Sequence, residues 1–208
     1  MRGNLILLEG LDRSGKSTQA DILSSRLQAK LVKFPDRSTP IGTLINEYLT
    51  NSDFHLSDEA AHLLFSANRW ELADELVKVL QSGTNVVMDR YVYSGIAYSL
   101  AKENSKSREW LYSPDKGLPK PDLTMFLTIP MAELAQRKNW GDERYEKTAF
   151  QEKVKQCFLS ILSPEQDPSV VLVDVGNSSI EEVTEKLWGI IVERKLHVQS
   201  SLGLERLA

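Results

Sequence analysis

The stretch GLDRSGKST, residues 10–18, follows the apolar run at 5–8 and precedes a helical pattern over 16–29. It holds Gly10, Gly15, Lys16 and Ser17 at the spacing of a phosphate loop, and a strand before it and a helix after it are the context that motif requires. The glycines permit a tight backbone curve, so that loop N–H groups and the helix N-terminus face an anion. A Gly-rich turn with no ligand is the plain alternative, and the strand–loop–helix setting argues against it. Asp12 and Arg13 stand side by side at the crown of the loop. An acid and a guanidinium there need a reason.

Working outward, four more short apolar runs read as strands buried on both faces, at 31–34, 86–88, 123–129 and 170–173. Helical patterns lie between them. The stretch 57–82 reads as one long amphipathic helix, with Ser57 as N-cap and Gly83 as stop, and 146–162 as another. Ser179 with Glu182 forms a capping box before a last helix over about 180–195. The alternation predicts an α/β fold: a five-stranded parallel sheet flanked by helices, joined by right-handed crossovers, in one domain over 1–208. Ligands of such sheets gather beyond the carboxyl ends of the strands. Glu9, Asp36, Arg37, Asp89, Arg90 and Asn177 all follow strand ends, so they are expected to converge. No fold is predicted for the tail, about 196–208, which lacks a clear stop signal.

Bulk properties narrow the class. The net charge of −4 lacks the basic excess of a general nucleic-acid binder. The single cysteine, Cys157, cannot form an internal disulfide, and its place on the face Phe150, Val154, Phe158 and Ile161 reads as packing. One cysteine and three scattered histidines do not suggest zinc. Four consecutive apolar residues before Glu9 are too few for a signal peptide or a membrane span. A cytoplasmic protein is expected, with the nucleus as a second candidate compartment.

At the donor end, Lys16 would bind β/γ-phosphates as a point charge, and Ser17 would offer its hydroxyl to Mg²⁺. Asp89, closing the run NVVMD (85–89), has the placement of an acid that holds a magnesium water, although a carboxylate that merely ends a strand is the alternative. Switches, motors and small-molecule kinases all use this loop. No Asn is followed by Lys, so the guanine-reading motif of regulatory GTPases is missing, and the chain length suits a small-molecule kinase.

FPDRST (34–39), LLFSANRWE (63–71), DRYVYSGIAYS (89–99) and GLPKPDL (117–123) occur in order behind the phosphate loop. Together they resemble the thymidylate kinases of the eukaryotic and poxviral type, over about residues 4 to 193. The resemblance implies a nucleoside monophosphate kinase-like fold with a mobile lid at about 137–150, and a homodimer built from helices away from the nucleotide cleft. It implies ATP as donor with Mg²⁺, and dTMP as acceptor, without nucleic-acid or membrane partners. Arg37 and Arg90 match the family arginines on the acceptor phosphate, a dianion well served by planar multi-donor cations. Phe34 is placed beside the acceptor. Phe65 would stack on the base and Arg69 bond its O4, sharing one helix face at i and i+4. Tyr98 would crowd the sugar's C2′ edge.

The resemblance also answers for the crown of the loop. Arg13 would act as an arginine finger in cis on the migrating phosphoryl group, and Asp12 would accept the deoxyribose 3′-OH and orient Arg13. ATP would be held by Arg13, Ser14, Gly15, Lys16, Ser17 and Thr18, with Arg137 and Asn177 near adenine. In the lid, Tyr145 would approach the acceptor, and Arg144 is a second candidate for the catalytic charge. Two rivals remain: a deoxynucleoside kinase, which needs a carboxylate base for a neutral 5′-OH, and a nucleotide-binding protein without turnover.

Overall fold

The computed structural model describes residues 1–103, 106–134, 144, 145 and 147–208. Among these, five strands form one parallel sheet: β1 (Leu5–Gly10), β2 (Lys30–Lys33), β3 (Val86–Asp89), β4 (Leu123–Thr128) and β5 (Val170–Asp174), in the order β2-β3-β1-β4-β5. β1 lies at the centre with Ile6 opposite Val87 on one side and Leu123 on the other. Leu5, Ile6, Leu7 and Leu8 are all fully buried. Successive side chains point to opposite faces, so four buried leucines and isoleucines in a row require cover on both faces. The expected strands are all present, each shifted by a residue or two at its ends.

Helices supply the cover. α1 (Lys16–Leu27) follows the loop directly. α2 (Pro40–Thr50) starts with Thr39 accepting from the Gly42 amide and with Pro at its first position, where a missing N–H costs nothing. The stretch read as one helix is two, α3 (Asp58–Glu71) and α4 (Ala73–Gln81), broken at Leu72. The reason is packing. α3 turns His62, Ser66 and Arg69 inward beside α5 (Val92–Leu100), whereas α4 lays Ala73, Leu76 and Leu80 in the main core. α6 (Arg108–Tyr112) and a 3₁₀ turn (Ser113–Asp115) precede β4. α7 (Met131–Leu134), α8 (Thr148–Ile161) and α9 (Ile180–Glu193) complete the order, and the capping box of Ser179 and Glu182 is formed as expected.

Beside the main core lies a smaller cluster of Ile45, Tyr48, Leu49 and Ala61, with Phe65 and Tyr145 packed against it. It joins α2 to α3 and walls one side of the cleft. The tail is extended and bound back: Arg2 and Ser200 exchange backbone bonds of 2.9 and 2.8 Å, and Leu207 does the same with Gly117 and Leu118, both at 2.9 Å. Cys157 is half-buried against the core, and burial raises its pKa, in keeping with a packing role.

Candidate active site

Gly15 is the N-cap of α1 at φ 94°, a left-handed conformation that suits glycine and turns the first helical amides into the loop. Lys16 is buried and its Nζ donates to the Leu11 carbonyl at 2.7 Å. Burial, and then the neighbouring Arg90 cation, bring its pKa down from 10.5 to about 8. The Ser17 hydroxyl meets Asp89 Oδ2 at 2.5 Å, so strand end and loop are joined as the sequence suggested. Asp89 Oδ1 is buried with no hydrogen-bond partner among the described residues, and the Ser14 hydroxyl is in the same position. No cluster of three metal-ligating side chains occurs among the described residues. A hydroxyl next to an unsatisfied carboxylate oxygen fits a divalent ion carried in on a phosphate, which usually keeps several waters and takes few protein ligands. Thr18 is exposed at the first turn of α1.

Next to the loop is a cavity of about 140 Å³, partly open to solvent. Asp12, Phe34, Arg37 and Phe65 line it, and so do Arg69, Arg90, Tyr98 and Tyr145. Every residue expected at the acceptor therefore meets in one space. Arg37 also donates to Asn46 Oδ1 at 2.9 Å.

Asp12 joins the two ends. It pairs with Arg90 and accepts from the Tyr98 hydroxyl and from Gln151 Nε2, both at 2.8 Å. Burial works against its charge, but Arg90 and Lys16, with those hydrogen bonds, outweigh it and hold the pKa below the usual value. Arg90 also donates to the Gly10 carbonyl at 3.2 Å and to Ser94 Oγ at 3.0 Å. Burial alone would weaken its cation, yet Tyr98, Asp12, Asp89 and Glu9 hold its pKa well above the ordinary value.

Three more residues stand behind these: Gln151 and Asp115, which the sequence reading missed, and Glu9, which it placed at a strand end without a role. Gln151, fully buried on α8, bonds Asp12, the Tyr98 hydroxyl and the Tyr145 carbonyl. Glu9 accepts from the Tyr91 and Ser94 amides at 3.0 Å each and from the Ser94 hydroxyl at 2.6 Å, and burial raises its pKa. Asp115 grips Arg69 through Nε at 3.0 Å and Nη2 at 2.6 Å, both side chains being almost wholly buried. A polar residue on the buried face of a helix was the only local signal for Gln151. Nothing local marked Asp115.

Of the expected lid, about 137–150, the described residues are 144, 145 and 147–150. Arg137 lies outside the described residues. Tyr145 reaches the cavity, stacks on Phe150 and bonds the Tyr48 hydroxyl at 2.7 Å. Arg144 is engaged elsewhere than the loop: it donates to the carbonyls of Tyr48, Asn51 and Phe54 at 2.9, 3.1 and 3.0 Å, where α2 ends. Those donors satisfy carbonyls that a helix end leaves open. Asn177, at φ 54°, bonds Glu133 through its amide and side chain.

Comparisons with known proteins agree with this geometry. A family model described as "Thymidylate kinase" matches residues 8–187. A thymidylate kinase of Dictyostelium discoideum is 43% identical, covering 98% of this chain and 92% of its own length. One of Homo sapiens is 45% identical over 89% and 88%. A thymidylate kinase structure from Candida albicans superposes with a TM-score of 0.96 at 57% identity, over 100% of this chain and 99% of that one. One from Ehrlichia chaffeensis shares the fold, with a TM-score of 0.69 at 21% identity.

Proposed function

This chain belongs to the thymidylate kinase family, and on that premise we propose how its residues divide the transfer of a phosphoryl group from ATP to dTMP. The observation that carries the scheme is Asp12, which lines the acceptor cavity while belonging to the loop that offers its amides to the donor. Two anionic ligands meeting tip to tip would place their junction there, beside Arg13.

The acceptor's own phosphate oxygen attacks the γ-phosphorus in line. A phosphomonoester is largely ionised at neutral pH, so the step needs no protein base. Arg37 and Arg90 hold the acceptor phosphate. Phe65 stacks on the base, Arg69 donates to O4, and Tyr98 fills the space at C2′. Asp12, kept ionised by Arg90, accepts the sugar's 3′-OH. Lys16 holds the β/γ-phosphates, and Arg13 follows the charge that spreads over the migrating group. Ser17 and Asp89 would hold Mg²⁺, which would neutralise charge across the phosphates. No helix among the described residues is long and apolar enough to cross a membrane.

The deoxynucleoside-kinase alternative finds little support in the cavity. Glu9 is spent on Tyr91 and Ser94, and Asp12 on Arg90, Tyr98 and Gln151. A panel of ADP-release assays tests the reading, with each natural nucleoside monophosphate and thymidine as acceptor, with ATP and Mg²⁺. Turnover on dTMP and none on thymidine is expected, and turnover on thymidine alone overturns it.

A homodimer is part of the proposal. Leu63 and Trp70, on the face of α3 away from the cavity, and Leu44 of α2 are 46, 42 and 44% exposed. Such residues suit a helical interface. Sedimentation velocity distinguishes one chain from two.

A further inference from the structure

Glu9 is the next-to-last residue of the central strand β1, fully buried, and the scheme above gives it no task. A buried carboxylate is costly unless it is well bonded, so its partners show what it is for. Its Oε1 accepts from the Tyr91 and Ser94 amides at 3.0 Å each. These amides open α5, and Tyr91, at the N-cap, makes no side-chain cap bond of its own. Glu9 thus caps that helix from a different element. Its Oε2 takes the hydrogen of the Ser94 hydroxyl at 2.6 Å, within the short range of a hydroxyl bonded to an ionised oxygen.

The Ser94 oxygen has a second partner, Arg90 Nη1 at 3.0 Å. A guanidinium only donates, so the oxygen accepts there while its hydrogen goes to Glu9. The Arg90 backbone is also held from β1. It bends at φ 67°, a left-handed conformation that a side chain disfavours. The Arg90 amide bonds the Leu8 carbonyl at 3.0 Å, and the next amide, of Tyr91, bonds Glu9. Neighbouring strand residues therefore pin both sides of the bend. From the loop, Asp12 and the Gly10 carbonyl hold the guanidinium. From α5, Ser94 holds it, with the Tyr98 hydroxyl farther off at 3.5 Å.

We propose that Glu9 is a positioning residue for the acceptor phosphate: it pins the bend at Arg90 and turns the Ser94 oxygen onto Nη1, so that the guanidinium stands aimed before the dianion arrives. The proposal rests on the reading of Arg90 as a holder of that phosphate. Without the relay, a long side chain must be ordered at the moment of binding, and affinity for the phosphate falls.

The test compares dTMP with thymidine, which share base and sugar and differ in the phosphate. In the full-length chain, calorimetric titration gives Kd for dTMP, and displacement of dTMP gives Kd for thymidine. The ratio of thymidine Kd to dTMP Kd reads the phosphate contact, because a general distortion of the cavity weakens both ligands alike. Ser94→Ala is expected to lower this ratio about tenfold, the scale of one hydrogen bond to a charged group. Ser94→Thr, which keeps the hydroxyl, should retain it. Glu9→Gln leaves an oxygen for the two amides but turns its NH2 toward Ser94, so the hydroxyl can no longer donate there. It also removes a charge, which acts on the phosphate through space in any background. The part carried by Ser94 is the difference between its effects with Ser94 present and in a Ser94→Ala background. Glu9→Gln is expected to lower the ratio by a several-fold larger factor with Ser94 present. The proposal is overturned if the two factors are equal, or if Ser94→Ala weakens both ligands by the same factor. Should Glu9→Gln fail to fold, an unmoved ratio in Ser94→Ala has the same force. If Arg90→Met also leaves the ratio unmoved, Arg90 does not hold the acceptor phosphate, and that reading falls too. A drop with Arg90→Met and none with Ser94→Ala keeps the reading and discards the role of Glu9.

Discussion

Arg13 and Arg90 both sit in the left-handed backbone region, at φ 65° and 67°. For a residue with a side chain this costs about 1–2 kcal/mol. Strain of this kind persists where the surroundings over-determine it, commonly at functional sites. Each of these arginines is at a bend where backbone meets the cleft, one in the phosphate loop and one after β3. Arg13→Ala is expected to lower kcat by about 10³-fold or more, with either KM changed only a few-fold, because the contact peaks in the transition state. Steady-state kinetics with both substrates varied check this, and a near-normal kcat would move the catalytic charge to the lid.

Lys16 makes a prediction in pH. Its pKa in the folded chain, about 8, lies below the ordinary 10.5. Between these values the unfolded chain binds more protons, so Lys16 makes the ligand-free protein more stable as pH rises through that window. Triphosphate prefers the charged ammonium and reverses the preference. ATP affinity should therefore fall above pH 8, by about tenfold per pH unit from this group alone. Calorimetric titration at pH 7 and 9.5 reads it. Equal affinity at the two would mean that Lys16 keeps its proton in the free protein.

At the scale of elements, the break at Leu72 aims Arg69 into the cavity while α4 returns to the sheet. Removing Arg69 outright is a blunt test, since Asp115 would be left buried and unpaired at a cost of about 3–5 kcal/mol. Gly95→Ala is cleaner. The new methyl would meet Nη1 at 3.0 Å and Nη2 at 3.1 Å, so the guanidinium must shift while Asp115 stays covered. KM for dTMP is expected to rise about tenfold, in line with one hydrogen bond to a charged group. The thermal midpoint should move only a few degrees. A large loss of stability without a change in KM would assign Arg69 to the fold alone.

At the scale of the molecule, the tail ties the chain's two ends together. Arg2 pairs with both oxygens of Asp122 and donates to the Leu202 and Gly203 carbonyls. Leu207 holds Gly117 and Leu118, and the Leu118 amide bonds the Asp115 carbonyl at 3.1 Å. The strap thus reaches the residue that grips Arg69. Deleting 203–208 is expected to lower the thermal midpoint by roughly 5–10 °C, given three or so lost backbone bonds. KM for dTMP should rise and KM for ATP should not. Melting curves and the two constants decide it, and a truncated chain indistinguishable from the full one would leave the tail without either role.

The amino-acid order alone settled what depends on near neighbours. Loop spacing, strand runs buried on both faces and the capping box at Ser179 are written within a few residues, where periodicity and hydrogen-bond geometry act directly. The candidates in the phosphate loop and in the 34–39, 63–71 and 89–99 stretches could be named because each belongs to a short motif, whereas Tyr145 and Asn177 belong to none. What the three-dimensional fold decided is what pairs distant positions: Gln151 on Asp12, Asp115 on Arg69, His62 on Ser99, and the tail on Arg2 and the 117–120 segment. The single long helix was misread for the same reason. Its two halves obey one local pattern, but they bury their faces against different partners, and burial against a partner is a property of the packed chain.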